Sequence, residues 1–247
     1  MLALNLLVVI PARLASGRLP GKIIEDIHGF PMIYWTYQRA KAAGVGEVIV
    51  AADDPIVYRV LDKYHIPYIK TSTGCLNGTE RIAEVASQVT DCDFFMNIQG
   101  DEPLLNPQTI IDVYDDGLIE GCFKTAVSEI MTGDNPNEVK VSISSNMRIR
   151  FASRSPIASY LDGGRKSYFK IHGVYTYSRS LLLDFNSKSP GPAEKGESVE
   201  QLRCIEHDIP LYAVRSAHTE RSVDTFDDLI YIRSKKLSDF TDWFGCH

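Results

Sequence analysis

The sequence predicts an α/β fold with a mostly parallel central sheet and a smaller antiparallel lobe. Three observations carry that expectation. A continuous apolar run, Leu4 to Ile10, has the character of a parallel strand covered on both faces. Strand-like and helix-like segments then alternate through the first hundred residues, as in βαβ units. Beyond that point the pattern changes to short β-rich runs separated by turns.

The elements follow in order. After the first strand comes a loop rich in Gly, Pro and cations, then a helix from Met32 to Ala43 with apolar residues at mixed helical spacing. Glu47 to Ala52 reads as the second strand, and Asp53-Asp54-Pro55 as a cap and proline entry to a helix through Lys63. Ile66 to Lys70 is a short third strand, a helix follows Asn77-Gly78-Thr79, and Asp93 to Gln99 forms the next strand. Thr125 to Ile130, Val139 to Ser144, Arg148 to Ala152 and Tyr168 to Tyr177 read as the antiparallel strands. Asn186 to Gly196 is a loop, Glu197 to His207 a helix, and a last helix runs from just after Asp224 to about Leu237.

A chain of 247 residues can form one α/β domain, here 1–247, with 125–205 as the smaller lobe. The net charge of −6 argues against a nucleic-acid or acidic-membrane surface and makes a cluster of cations near residue 20 a local feature. Cys75, Cys92, Cys122, Cys204 and Cys246 are scattered, without the spacing of a disulfide framework or zinc site. The apolar start lacks a basic leader and stops at Pro11, so it reads as a buried strand rather than a signal peptide or membrane span. The expected compartment is the cytoplasm.

Ligands of parallel sheets sit at the carboxyl ends of strands. The first such end carries Arg13, Arg18 and Lys22 among Gly17, Gly21 and two prolines, a composition suited to holding polyphosphate. It matches neither the Walker A motif nor the dinucleotide fingerprint. Asn77-Gly78-Thr79-Glu80-Arg81 is a helix entry whose amides suit a base or phosphate, or simply a capped helix. Gln99-Gly100-Asp101-Glu102-Pro103 places an acidic pair at another strand end, where a carboxylate suits Mg²⁺ or a turn. Asp224 reads as a functional carboxylate or as an N-cap, and His172 as a ligand or a satisfied strand histidine.

Taken together these segments resemble the CMP-Kdo synthetases, the cytidylyltransferases that activate 3-deoxy-manno-octulosonate (Kdo). The likeness runs through residues 11–22, Gly29-Phe-Pro-Met-Ile33, Val50-Ala-Ala-Asp53, residues 77–81, Asn97-Ile-Gln-Gly-Asp-Glu-Pro103 and Asn135-Pro-Asn-Glu-Val-Lys140. It continues through Ser153-Arg154, Gly173-Val-Tyr175, Val199-Glu-Gln-Leu-Arg203 and Val223-Asp-Thr225. The resemblance implies a Rossmann-like nucleotidyltransferase core, a homodimer built on the antiparallel lobe, CTP as co-substrate and Mg²⁺ as cofactor. It implies Arg13, Lys22, Asp101 and Asp224 as catalytic residues, with Asp101 and Asp224 on the metal. Pro11, Ala12, Ser16, Arg18, Ala52, Asp53, Asn77, Gly78, Arg81 and Gln99 would join Arg13 and Lys22 around CTP. Gln99, Arg154, His172, Tyr175, Glu200 and Gln201 would face the acidic acceptor.

The expected reaction is CMP transfer from CTP to that acceptor, with release of pyrophosphate. The chain departs from the family on the acceptor side. Lys170-Ile171-His172-Gly173 stands where the family typically has Arg-His-Leu-Gly, and Ala158 and the 194–197 segment also differ. The acceptor readings are therefore Kdo, an amino-Kdo, another 2-keto-3-deoxy sugar acid or a small phosphonate. Two other classes compete: a nucleotide-binding regulator without turnover, disfavoured by intact Lys22, Asp101 and Asp224, and a glycosyltransferase, disfavoured by the lack of Asp-x-Asp at 99–103.

Overall fold

A computed structural model describes residues 5–15, 17–157, 167–219 and 221–243; Ser16, Ala158 and Cys246 lie outside them. The elements in chain order are β1 (Leu6–Ala12), β2 (Asp26–Ile27), β3 (Phe30–Pro31), α1 (Met32–Ala42), β4 (Glu47–Ala52), α2 (Pro55–Lys63) and β5 (Tyr68–Lys70). There follow α3 (Gly78–Gln88), β6 (Phe94–Ile98), α4 (Pro107–Asp115), β7 (Phe123–Ile130), β8 (Lys140–Ile143), β9 (Ile149–Ser153) and β10 (Tyr168–Ser178). The chain continues with α5 (Arg179–Ser187), α6 (Pro192–Glu197), α7 (Gln201–Glu206), β11 (Leu211–Arg215), α8 (Phe226–Arg233) and α9 (Ser238–Thr241).

The main sheet has the order β11-β7-β10-β6-β1-β4-β5. Strands β5, β4, β1 and β6 run parallel, while β10 is antiparallel to both β6 and β7. The chain leaves β1 for β4 on one side and later returns to place β6 on the other, so a topological switch point opens at the carboxyl ends of β1 and β6. That crevice is where an open α/β sheet binds its ligand.

Alternate residues of β1 sort into two cores. Leu7 and Val9 pack with Ile82 and Val85 of α3 and Phe185 of α5, whereas Val8 and Ile10 pack with Ile33 of α1, Leu61 of α2 and Ile110 of α4. The period-2 geometry of a strand covered by helices on both faces produces this division. A third cluster joins Trp35 and Met32 of α1 to Val223, Leu229, Ile232 and Phe240. It docks the C-terminal segment against α1, and Trp35 Nε1 donates to the Ile27 carbonyl at 2.8 Å.

Several boundaries differ from the sequence expectation. The antiparallel strands are continuous with the central sheet: β7 and β10 complete it, and β8 and β9 extend from it as an antiparallel pair. Pattern alone missed α4 and β11; α4 opens on a capped Asn106-Pro107 step and β11 is a five-residue strand paired with β7. Helix α6 lies within the expected loop, because Pro192 fits a first helical turn, and the next helix starts at Gln201 rather than Glu197. The last helix ends at Arg233 and a separate short helix follows at Ser238.

Candidate active site

Loop 13–21 closes on itself where the Gly21 amide donates to the Leu14 carbonyl at 2.9 Å. Gly21 has φ 74°, a left-handed value open to glycine, and the turn it makes sends Lys22 back beneath the end of β1. On the neighbouring β6 end, Asp101 is tied to the C-terminal segment by the Val223 amide, which donates to the Asp101 carbonyl at 2.9 Å. Buried Val223 thereby carries Asp224 to the same place. Asp224 is not the helix cap. Thr225 caps α8 in a capping box with Asp228, which leaves the Asp224 side chain outside the helix and facing the cleft.

Four side chains converge there. The Lys22 ammonium donates to Asp101 Oδ2 at 2.5 Å, to the Val223 carbonyl at 2.7 Å and to Asp224 Oδ1 at 3.4 Å. Arg18 Nη2 lies 2.7 Å from the same Asp224 oxygen, and its Nη1 donates to Asn137 Oδ1. Burial alone would lower the Lys22 pKa, but the carboxylates of Asp101 and Asp224 outweigh it and hold the ammonium above its ordinary value. Asp224 is pushed up by burial and by the Asp101 charge, against the opposing pull of Lys22 and Arg18.

These groups line a cleft of about 830 Å³ at the switch point. It gathers Pro11, Arg13, Arg18, Lys22, Asn77, Gly78, Arg81, Gln99, Asp101 and Asp224 with Arg154, His172, Tyr175, Glu200 and Gln201. Ala12, Ala52 and Asp53 stand outside its lining. The two alanines are fully buried, and Asp53 pairs with Arg81, whose Nη2 lies 2.7 Å from Asp53 Oδ2. Asn77 caps α3 by accepting from the Glu80 amide at 2.8 Å, and the helix N-terminus opens toward the cleft at Gly78. Arg13, on the exposed loop, donates to the Leu76 carbonyl at 3.4 Å.

The far end of the cleft is more heavily cross-braced. Arg154 spends its guanidinium on the carbonyls of Glu197, Pro136, Asn137 and Ser198, which makes it a tie between three segments. Buried Lys140 does the same for the turn at 135–138, donating to the carbonyls of Asn135 and Glu138, both at 2.8 Å, and of Arg154. His172 is buried, with Nε2 2.8 Å from Ser128 Oγ, and burial drives its pKa down to about 3, so the ring is neutral. The pairing of β10 with β7 shifts between Ile171 and Tyr175, so a bulge falls on the stretch where the sequence departs from the family pattern. Glu200 accepts from the Thr79 amide at 3.3 Å; burial raises its pKa, and burial with the charges of Glu200, Glu102 and Asp101 raises that of Tyr175.

Sequence reasoning did not single out Asn137, Glu138 or Lys170, which also line the cleft. Lys170 Nζ lies 3.3 Å from Glu138 Oε1, so the Asn-Pro-Asn-Glu turn was the available signal. Among the described residues no group of three or more His, Cys, Asp or Glu is placed to hold a metal, so Asp101 and Asp224 stand as a pair. No described helix is long and apolar enough to cross a membrane.

A model of the cytidylyltransferase family matches residues 7–215. The chain is 36% identical to a 3-deoxy-manno-octulosonate cytidylyltransferase of Fusobacterium nucleatum subsp. nucleatum, over 92% of this chain and 94% of that one. It is 37% identical to the protein of that name from Chlorobium phaeobacteroides, over 93% and 96% of the two chains. Among solved structures it superposes with a TM-score of 0.84 on a CMP:2-keto-3-deoxy-manno-octonic acid synthetase complexed with CTP, at 34% identity and covering 93% and 97% of the two chains. The chain belongs to the family of 3-deoxy-manno-octulosonate cytidylyltransferases.

Proposed function

We propose that this protein transfers CMP from CTP to 3-deoxy-manno-octulosonate or a close analogue and releases pyrophosphate. The observation that carries the reading is the meeting of Lys22, Asp101 and Asp224 at the switch point, in a chain whose relatives bear that name. The sugar hydroxyl oxygen attacks the α-phosphorus, the bond from that phosphorus to the bridging oxygen breaks, and pyrophosphate leaves. Such a reaction asks the protein mainly for positioning and charge neutralisation.

Arg13, Arg18 and Lys22 hold the triphosphate, with Lys22 countering charge on the α-phosphate and the leaving group. Pro11, Asn77, Gly78 and Arg81 surround the nucleoside, and the Asp53–Arg81 pair fixes that wall. The oxygen donors of Asp101 and Asp224, which already share one cation, fit Mg²⁺, a hard ion that takes its remaining ligands from water and phosphate. Bound there, it would polarise the phosphoryl group and lower the pKa of the attacking hydroxyl. Gln99, Tyr175, Glu200 and Gln201 face the acceptor, while Arg154 shapes its pocket through the backbone. His172, a buried part of the wall, is held by Ser128. We place the protein in the cytoplasm as a homodimer.

Incubation with CTP, Mg²⁺ and a panel of Kdo, amino-Kdo, other 2-keto-3-deoxy sugar acids and small phosphonates tests the reading. Pyrophosphate release above background with one of the sugar acids is the expected result. CTP binding with no release from any acceptor would instead identify a regulatory homologue.

A further inference from the structure

The cations that should meet the triphosphate are not directed at open space. Lys22 has three protons to donate, and three acceptors take them: Asp101, the Val223 carbonyl and Asp224. Arg18 is committed to Asp224 and Asn137. Lys22, Asp101 and Asp224 are shielded, with side-chain exposures of 12%, 20% and 13%, so the carboxylates could not stand together unpaired at low cost. Two carboxylate charges are balanced here by one ammonium and one guanidinium. A divalent cation carries the same charge as those two side chains together.

We propose that Lys22, assisted by Arg18, is the resident counter-cation of the carboxylate pair in the nucleotide-free protein. Lys22 yields that seat to a divalent metal only when a triphosphate is there to receive its ammonium. The inference rests on the metal and triphosphate reading above and adds an order to it. Metal alone would leave two released cations beside a third in a shielded cleft, a repulsive arrangement. Metal together with CTP lets the two side chains exchange carboxylate partners for phosphate oxygens. One set of residues then serves both states, and the free protein holds divalent metal poorly by construction.

The test is a Mn²⁺ titration of the nucleotide-free protein, followed by electron paramagnetic resonance of the free ion. Lys22→Met should tighten Mn²⁺ binding by about tenfold over the wild type, within the usual range of coupling between two ligands of one site. Lys22→Arg keeps the cation and should leave binding as weak as in the wild type. Adding Asp224→Asn to Lys22→Met should remove the gain. Arg18→Gln, at a half-exposed side chain, should move affinity in the same direction by less, and serves if Lys22→Met does not fold. Equal Mn²⁺ affinity in wild type, Lys22→Met and Arg18→Gln overturns the counter-cation role. If EDTA then abolishes wild-type turnover, the metal reading stands without it; turnover that survives EDTA overturns both.

Discussion

Asp101 and Asp224 are acidic residues 123 positions apart in sequence (224 − 101), yet they grip one ammonium. Their value to the reaction is charge, so Asp101→Asn, which keeps volume and removes charge, should lower turnover by roughly 100- to 1,000-fold, the cost of losing one key electrostatic group. The far-ultraviolet spectrum should be unchanged. Near-normal turnover of this variant at limiting Mg²⁺ would contradict the assignment. His172 makes a different kind of prediction. Its pKa falls from an ordinary 6.5 to about 3 in the folded state, so between those values the unfolded chain binds the extra proton. Stability contributed by the neutral ring is complete above pH 6.5 and is lost as pH falls, by up to about 1.4 kcal/mol per pH unit. Urea unfolding at pH 7 and pH 5 should show His172→Asn with a shallower pH dependence than the wild type, by about 2 kcal/mol over that interval. Identical dependence in the two proteins would show that His172 is not held neutral.

At the level of elements, caps and bulges decide where the functional side chains point. Asp228 accepts from the amides of Asp224 and Thr225 and from the Thr225 hydroxyl, so α8 is capped at Thr225, begins at Phe226 and leaves the Asp224 carboxylate outside the helix. Thr225→Ala should cost about 1 kcal/mol, seen as a drop of roughly 2–4 °C in the melting temperature, with Thr225→Ser restoring most of it. An unchanged melting curve would mean that the box contributes nothing. Gly173 lies in the β10 bulge, and a Cβ built there would meet Gln99 Cβ at 2.7 Å and Glu102 Oε1 at 3.0 Å. Gly173→Ala should therefore push the β6 end out of place, costing about 1–3 kcal/mol and raising the KM for acceptor. Normal stability and KM would show that the wall relaxes freely. Strands β1, β4 and β6 were legible because continuous apolar runs leave little else for such segments to be. Strand β11 and helix α6 were not, since a five-residue edge segment and a Pro-Gly-rich turn take their form from tertiary partners rather than local pattern.

On the scale of the molecule, the switch point between β1 and β6 supplies the cleft, and the C-terminal segment completes it by packing Val223, Leu229 and Phe240 onto Trp35. The cation-rich loop and the acidic pair were visible in the sequence as residue types at strand ends. Their meeting was not, because Asp224 reaches Asp101 only through that long-range apolar docking. The acceptor end was the least legible. Arg154, expected at the acceptor, lines the cleft with its guanidinium already bonded to four carbonyls, and Lys140, within its expected strand, is also a buried brace for the 135–138 turn. Phosphorus-31 magnetic resonance of a mixture of the protein, CTP, Mg²⁺ and Kdo tests the central claim most directly. The CTP signals should give way to one phosphodiester resonance and pyrophosphate in equal amounts, whereas unchanged CTP, or CDP with inorganic phosphate, would contradict CMP transfer to Kdo.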